Sequence, residues 1–165
     1  HQLLKRNDRV IDFGCSPGSW LQYISNAVGD KGVILGYDLV PPRVSAPNAK
    51  TFVADIFDIT AERIREDAKD PNFTATVILS DMAPKTTGIR DADQARSIGL
   101  VEHAIYLADE LLVGDAVFAA KVFHGRGFDE LLNDMRKKFK KVKALRPKAT
   151  RQGSREAFII AKGRL

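Results

Sequence analysis

The sequence predicts an α/β domain in which βα units repeat around a largely parallel sheet. Three observations lead there. Short apolar runs alternate with amphipathic stretches along nearly all of the 165 residues, the pattern that βα repetition produces. The first apolar run ends in a turn with two glycines and a proline, "DFGCSPGSW", that feeds an amphipathic stretch. Acids close the next runs, on the side where open α/β sheets bind ligands.

Taken in order, strands are expected at Arg9 to Phe13, Val33 to Asp38, Thr51 to Ala54, Thr76 to Asp81, Ala116 to Val122, Val142 to Leu145 and Ala157 to Ala161. Each is rich in apolar or β-branched residues. Helices fit between most of them. From Asp91 to Leu112, Ile98, Val101, Ala104, Ile105, Ala108, Leu111 and Leu112 recur at helical spacing, and Gly114 reads as the stop signal. Asp129 to Phe139 reads as a second helix, with Leu131, Leu132 and Met135 apolar and lysines toward the C-terminus, where the helix dipole favours cations. "VPPRVSAPNAK" and "MAPKTTGIRDAD" read as loops after strands.

A chain of this length fits one domain, 1–165, with a substantial core. Hydrophobic residues make up 44% and charged residues 28%, and no run approaches the roughly 18 to 20 apolar residues that span a bilayer. No membrane partner is expected. Cys15 is the single cysteine and no secretory pattern opens the chain, so a reducing compartment, the cytoplasm, is expected. No Cys/His cluster points to a metal.

The net charge of +5 is local. Between Arg136 and Arg155, ten of twenty residues are basic and none is acidic, which leaves 16 basic against 21 acidic side chains elsewhere. Such a run serves equally as a solvated helix face followed by a basic strand, or as an attractor of a phosphate backbone through counterion release.

In "DFGCSPGSW", Ser16 occupies the position that a dinucleotide-binding GxGxxG fills with glycine, which disfavours a nicotinamide oxidoreductase. Gly14 and Gly18 still allow close backbone approach, Pro17 stiffens the turn, and the following helix presents free N–H groups. Asp38 ends the second strand where such folds bind ribose hydroxyls, and Asp55 follows the third strand, able to accept from an adenine amino group. Each also has a plain reading, Asp38 as a loop cap and Asp55 as a cap for a helix near Ala61. Three acids at successive strand ends beside this loop favour a nucleoside ligand.

"VIDFGCSPGSWLQY", "GYDLVP", "ILSDMAPKTTG", "AAKVFHGRGFDELL" and "SREAFIIAKG" together resemble the FtsJ-type (RrmJ-like) ribosomal RNA 2′-O-ribose methyltransferases, from about Lys5 to Gly163. The resemblance implies a Rossmann-like methyltransferase sheet of seven strands, the last antiparallel, with helices on both faces and S-adenosylmethionine as cofactor. It assigns Gly14, Pro17, Gly18 and Trp20 to the cofactor loop, Asp38 to the cofactor ribose and Asp55 to the adenine. Ser19 stands where the family often has a second glycine. It also matches Asp81, Lys121 and Glu156 to the last three members of a Lys-Asp-Lys-Glu tetrad, with Asp81 beside the cofactor as well. The tetrad's first lysine lies on a helix upstream of the first strand, and Lys5 does not match it, so the chain is expected to lack an N-terminal segment.

Methyl transfer to a ribose hydroxyl requires the nucleophile to lose a proton and the reacting atoms to align. Lys121 is expected to orient the 2′-OH and either take its proton or stabilise the developing alkoxide, with Asp81 and Glu156 positioning it. A lysine base must be neutral, whereas adjacent carboxylates favour its charged form. Arg126, Lys148, Arg151 and Arg155 are candidate phosphate contacts on the rim loops or the basic run. His124 and His103 read as structural, Cys15 as a turn filler, and Trp20 as a core anchor more readily than a stacking platform.

The resemblance implies a monomer whose substrate is a uridine of large-subunit ribosomal RNA. Alternatives are a sister branch acting on tRNA ribose and a non-catalytic RNA-binding or ribosome-assembly module on the same fold.

Overall fold

In the computed structural model, residues 3–146 and 155–165 are described. The expected repeats form a seven-stranded sheet in the order β3-β2-β1-β4-β5-β7-β6. The strands are β1 (Arg9–Phe13), β2 (Val33–Asp38), β3 (Ala49–Val53), β4 (Ala75–Ser80), β5 (Leu112–Phe123), β6 (Phe139–Leu145) and β7 (Glu156–Arg164). Neighbours pair in parallel from β3 through to β5, and β7 runs antiparallel to both β5 and β6. The helices are α1 (Ser19–Val28), α2 (Ala61–Ala68), α3 (Arg90–Leu111) and α4 (Phe128–Lys138).

Because side chains alternate along a strand, each strand contributes to two layers. Ile11, Phe13, Leu35, Ile78, Phe118, Ala120 and Ile159 form the larger core with α2, α3 and α4. Val10, Ile34, Val77 and Val117 turn the other way and pack with Leu21, Ile24 and Val28 of α1. Helices therefore lie on both faces, three against one among the described residues.

The expected stop at Gly114 is corrected. α3 closes at Leu111, with the Leu112 N–H donating to the Ala108 carbonyl while Leu112 itself is already extended. The chain passes from helix to strand without a turn. Gly114, at φ +64°, falls inside β5, where the register against β4 shifts between Ala75 and Val77. A left-handed residue suits such a bulge, so the glycine serves the strand rather than the helix end.

Sequential strands run outward from β1 through β2 to β3, then resume on the other side of β1 with β4 and β5. The strand order thus reverses between β1 and β4, and the crevice beyond their C-terminal ends is where such sheets hold ligands. Gly14 follows β1 and Asp81 follows β4, so these two expected site residues flank that crevice, and the Asp81 N–H donates to the Phe13 carbonyl at 2.9 Å.

Candidate active site

Sheet register brings the three tetrad candidates together. Ser80 pairs with Ala120, so Asp81 and Lys121 come next on adjacent parallel strands. Lys121 faces Phe158 across the antiparallel pair, and Glu156 lies two residues from Phe158 on the same face. Lys121 Nζ stands 3.0 Å from Asp81 Oδ1 and 3.7 Å from Glu156 Oε1. Its side chain is 14% exposed while both carboxylates are near 40%, so the cation is the inner member of a pair of ion bridges that opens to solvent on its acidic side.

Asp81 forms part of the wall of two cavities. The smaller, about 250 Å³, is lined by Gly14, Ser16, Asp38, Asp55 and Met82 among others. The larger, about 710 Å³ and mostly apolar, is lined by Leu3, Leu4, Asp12, Trp20, Tyr23 and Phe158 among others.

Local hydrogen bonding explains the smaller cavity's shape. The Gly14 N–H donates to the Tyr37 carbonyl at 2.8 Å, and the Ser16 N–H donates to Asp38 Oδ2 at 2.9 Å. Asp38 Oδ1 accepts from Val40 N–H at 3.2 Å. The carboxylate thus caps its own loop and braces the glycine turn, while still lining the cavity. Gly14 has φ +83°, and a Cβ there would meet the Met82 backbone nitrogen at 2.9 Å, which makes it a position where only glycine lets the two loops close. Asp55 accepts from Phe57 N–H at 3.1 Å and caps a short 3-10 turn at Ile56–Asp58. Its expected alternative as a cap near Ala61 is corrected, because Thr60 caps α2 through Arg63 N–H.

Pro17, Gly18 and Trp20 do not line the smaller cavity. The Pro17 carbonyl accepts from Arg43 N–H at 2.9 Å, and Gly18 lies against Val44, so both anchor the loop after β2. Trp20 is 51% exposed and pairs edge-to-face with Tyr23, itself 62% exposed. The core-anchor reading of Trp20 is therefore corrected: the Ser19 helix start turns it outward, over the larger cavity. Arg126 and Arg155 are exposed at the rim. Lys148 and Arg151 lie outside the described residues.

Two features escaped the sequence reading. Asp12 is 3% exposed, its Oδ2 has no hydrogen-bond partner among the described residues, and neither has the nearby strand's Ser80 Oγ. Burial, then the charges of Asp81 and Asp38, push its pKa up to about 7. The signal was present as an acid inside the apolar run "VIDF". The second feature is a clamp at the start of α3. Buried Asp93 accepts from Thr87 and Gly88 N–H, Gln94 Nε2 donates to the Arg126 carbonyl at 2.7 Å, and Ser97 Oγ accepts from Phe123 N–H at 2.9 Å. One helix end thereby fixes the loops after both β4 and β5. Polar residues on the inward face of an otherwise apolar helix were the available sign.

The remaining candidates are structural. Cys15 is buried, and burial with the charges of Asp12 and Asp38 raises its thiol to about 12, which leaves no thiolate for nucleophilic chemistry. His103 is wedged between Phe57 and Tyr106, and His124 packs on Phe128 with ring centroids 4.6 Å apart. No group of three or more His, Cys, Asp or Glu side chains able to hold a metal is present among the described residues, and no described helix is long and apolar enough to cross a membrane.

The smaller cavity suits a nucleoside-bearing cofactor by its hydrogen-bond acceptors and its shape: the carboxylates of Asp38, Asp55 and Asp81 in its wall, a glycine cradle that a Cβ would fill, and apolar walls from Leu39, Ile56 and Met82.

A family model described as FtsJ-like methyltransferase matches residues 1–164. The ribosomal RNA large subunit methyltransferase E of Desulfatibacillum aliphaticivorans is 41% identical over 160 residues, covering 96% of this chain and 75% of that protein. The same-named protein of Bdellovibrio bacteriovorus is 44% identical over 160 residues, covering 96% and 81%. Among solved structures, a Plasmodium falciparum protein described as a ribosomal RNA methyltransferase superposes with a TM-score of 0.84 at 23% identity, covering 98% of this chain and 88% of that one. Aeropyrum pernix fibrillarin, solved with natively bound S-adenosyl-L-methionine, gives 0.66 at 15% identity, covering 98% and 69%. At these identities the two structures speak for the fold.

Proposed function

Because the chain belongs to the FtsJ-like methyltransferase family, we propose that it methylates the ribose 2′-oxygen of ribosomal RNA, with S-adenosylmethionine as the methyl donor and a uridine of the large-subunit RNA as the target. The observation that carries the reading is Lys121 Nζ, held 3.0 Å from Asp81 and 3.7 Å from Glu156, directly beside the cavity that Asp38 and Asp55 line.

Asp38 and Asp55 would hold the ribose and adenine ends of the cofactor, with Gly14 and Ser16 admitting it close to the backbone. When bound, the cofactor supplies an electrophilic methyl group on a sulfonium. The chain's own task is then to present a ribose oxygen in line and manage its proton. Lys121 faces that oxygen. As an ammonium it donates a hydrogen bond to the oxygen and stabilises negative charge as it develops. Acting as base instead requires the neutral amine. Asp81 and Glu156 restrict the lysine to one position in either role, and positioning accounts for much of such a rate enhancement.

The relatives' names support ribosomal RNA as the substrate class, and exposed Arg126 and Arg155 at the rim suit phosphate contacts. The test is transfer from labelled S-adenosylmethionine to undermodified large ribosomal subunits, with tRNA in parallel and the product nucleoside identified. A 2′-O-methyluridine in the subunit, lost in Lys121→Ala, is expected. Label confined to tRNA would move the protein to the sister activity, and bound cofactor without label in either RNA would overturn the catalytic reading.

A further inference from the structure

We propose that Ser97 and Gln94 of α3 are positioning residues for Lys121: they hold the end of β5 that carries it, and so set its spacing to Asp81. The assignment rests on the methyl-transfer reading above, in which the place of Lys121 Nζ decides the rate.

The end of β5 has a strand beside it on one edge. β4 and β5 pair as far as Ser80 and Ala120, after which the chain leaves β4 for the loop at 82–89, while β5 continues through Lys121 to Phe123. On the other edge β7 accompanies it to its last residue, where Phe123 faces Glu156. Lys121 therefore lies in an overhang of β5 beyond its β4 partner, where backbone groups need partners from outside the sheet.

α3 supplies them. The Phe123 N–H donates to Ser97 Oγ at 2.9 Å, and just past the strand Gln94 Nε2 donates to the Arg126 carbonyl at 2.7 Å. A Cβ at Gly125 would meet Gln94 Oε1 at 2.5 Å, so the amide lies directly against that turn. Between these anchors the His124 N–H donates to the Arg155 carbonyl at 2.7 Å, which ties the turn to the entry of β7. Ser97 and Gln94 are both buried. A hydroxyl and an amide at such depth cost stability unless hydrogen-bonded, and apolar side chains would serve packing alone. What the polar pair adds is a fixed distance between the helix and the strand end.

The same helix end also holds the other side of the ion bridge. Asp93 accepts from Thr87 N–H at 2.7 Å and Gly88 N–H at 3.1 Å, in the loop that follows Asp81. Ile98, Val101, Ala104 and Ala108 sink the rest of α3 into the larger core, which makes it a rigid mount. The chain segments carrying Asp81 and Lys121 are thus tied, through Asp93 and Ser97 one turn apart, to a single body. Displacing such a support by about 1 Å can cost on the order of a hundredfold in rate.

The experiment reads single-turnover methyl transfer at saturating RNA and S-adenosylmethionine. Ser97→Ala should lower the rate about twentyfold, and Gln94→Met, which keeps the volume and leaves the carbonyl of exposed Arg126 to water, about fivefold. KM for RNA and cofactor affinity should stay within about twofold, the split expected when the reacting geometry alone is disturbed. Val101→Ala, one turn further along α3 and buried in the core, is the packing control. It should lower the urea midpoint at least as far as Ser97→Ala and leave the rate within about twofold of wild type. In a double-mutant cycle, Ser97→Ala should cost nothing further once Lys121 is alanine, because it acts through that side chain. A crystal structure of Ser97→Ala should show Phe123 and Lys121 displaced relative to Asp81.

A near-wild-type rate in both variants, a loss matched by Val101→Ala, or losses that multiply in the Lys121→Ala background would each overturn the positioning role. If wild-type protein transfers no methyl group to RNA, the catalytic reading fails and the crystal structure decides the role: a displaced Lys121 upholds it, and an unmoved one ends it. If wild type methylates RNA and both variants match its rate, the catalytic reading stands and the positioning role falls.

Discussion

Lys121 and Asp12 lie on the same sheet face and carry opposite consequences for the protein. Lys121 is kept in place by two half-solvated carboxylates, so removing it leaves no deeply buried charge behind. Lys121→Ala should lower methyl transfer by at least about a hundredfold, the usual scale for losing a positioned proton-transfer or oxyanion-stabilising group. Cofactor affinity and the unfolding midpoint should change little, and single-turnover transfer with calorimetric cofactor titration separates the two effects. Asp12 is different because it is almost wholly buried with an unpartnered oxygen. Its pKa is raised from 3.8 to about 7, so the native state holds a proton that the unfolded chain releases. A raised carboxylate costs stability as pH climbs from about 4 to about 7, and the full cost, on the order of a few kcal/mol, is present above that window. Asp12→Asn, neutral and similar in shape, should therefore be more stable than wild type at pH 8 and about equal to it at pH 4. Urea unfolding at both values checks this. Equal stability gains at both pH values would show that ionisation is not the cause. A group retained at such a cost inside the cavity wall marks a position where stability has yielded to the site.

At the scale of elements, the glycine turn after β1 is the part of the site most tightly specified by its backbone. Gly14→Ala places a Cβ 2.9 Å from the Met82 backbone nitrogen at φ +83°, and neither the backbone atom nor the left-handed conformation yields cheaply. Cofactor affinity should fall at least about tenfold, with a loss of stability of roughly 1 to 3 kcal/mol, read by isothermal titration and denaturant unfolding. Undiminished cofactor affinity would show that the turn does not border the cofactor. Elements such as this were legible in the sequence because local chemistry determines them: β1 and β2 fall where their apolar runs do, Arg9–Phe13 and Val33–Asp38, and the turn is announced by its glycines. What stayed hidden depended on register. Nothing near Gly114 in the sequence reveals that the chain will leave α3 and enter a bulged strand directly. The buried partners of Asp93, Gln94 and Ser97 lie in two other loops, so these residues look like ordinary helix polars until the loops are folded against them. Trp20 misled for a related reason: its helix turns the aromatic outward, toward a cavity that the segment before β1 and α1 itself share with residues of β4, β5 and β7.

The whole molecule joins these parts by a strand order that no local pattern contains. The reversal between β1 and β4 sets the cofactor loop beside Asp81, and the antiparallel entry of β7 between β5 and β6 carries Glu156 to Lys121 from the far end of the chain. The resemblance to a known family supplied that long-range arrangement where spacing alone left it open. A consequence at this scale is that cofactor binding should stabilise the entire domain, because loops following β1, β2, β3 and β4 all contribute to one cavity. A ligand that binds the folded state alone at a hundred times its dissociation constant adds about 2.7 kcal/mol, and for a domain of this size each kcal/mol raises the midpoint by roughly 2 to 4 °C. S-adenosylmethionine should therefore raise the thermal midpoint by roughly 5 to 10 °C, and Asp38→Ala or Asp55→Ala should remove most of the rise at the same ligand concentration. NAD should leave the midpoint unmoved, since Ser16 stands where a dinucleotide turn needs glycine for the pyrophosphate to approach. A shift with NAD and none with S-adenosylmethionine would mean that this cavity serves a different nucleoside, and the assignment of Asp38 and Asp55 to a methyl donor would fall with it.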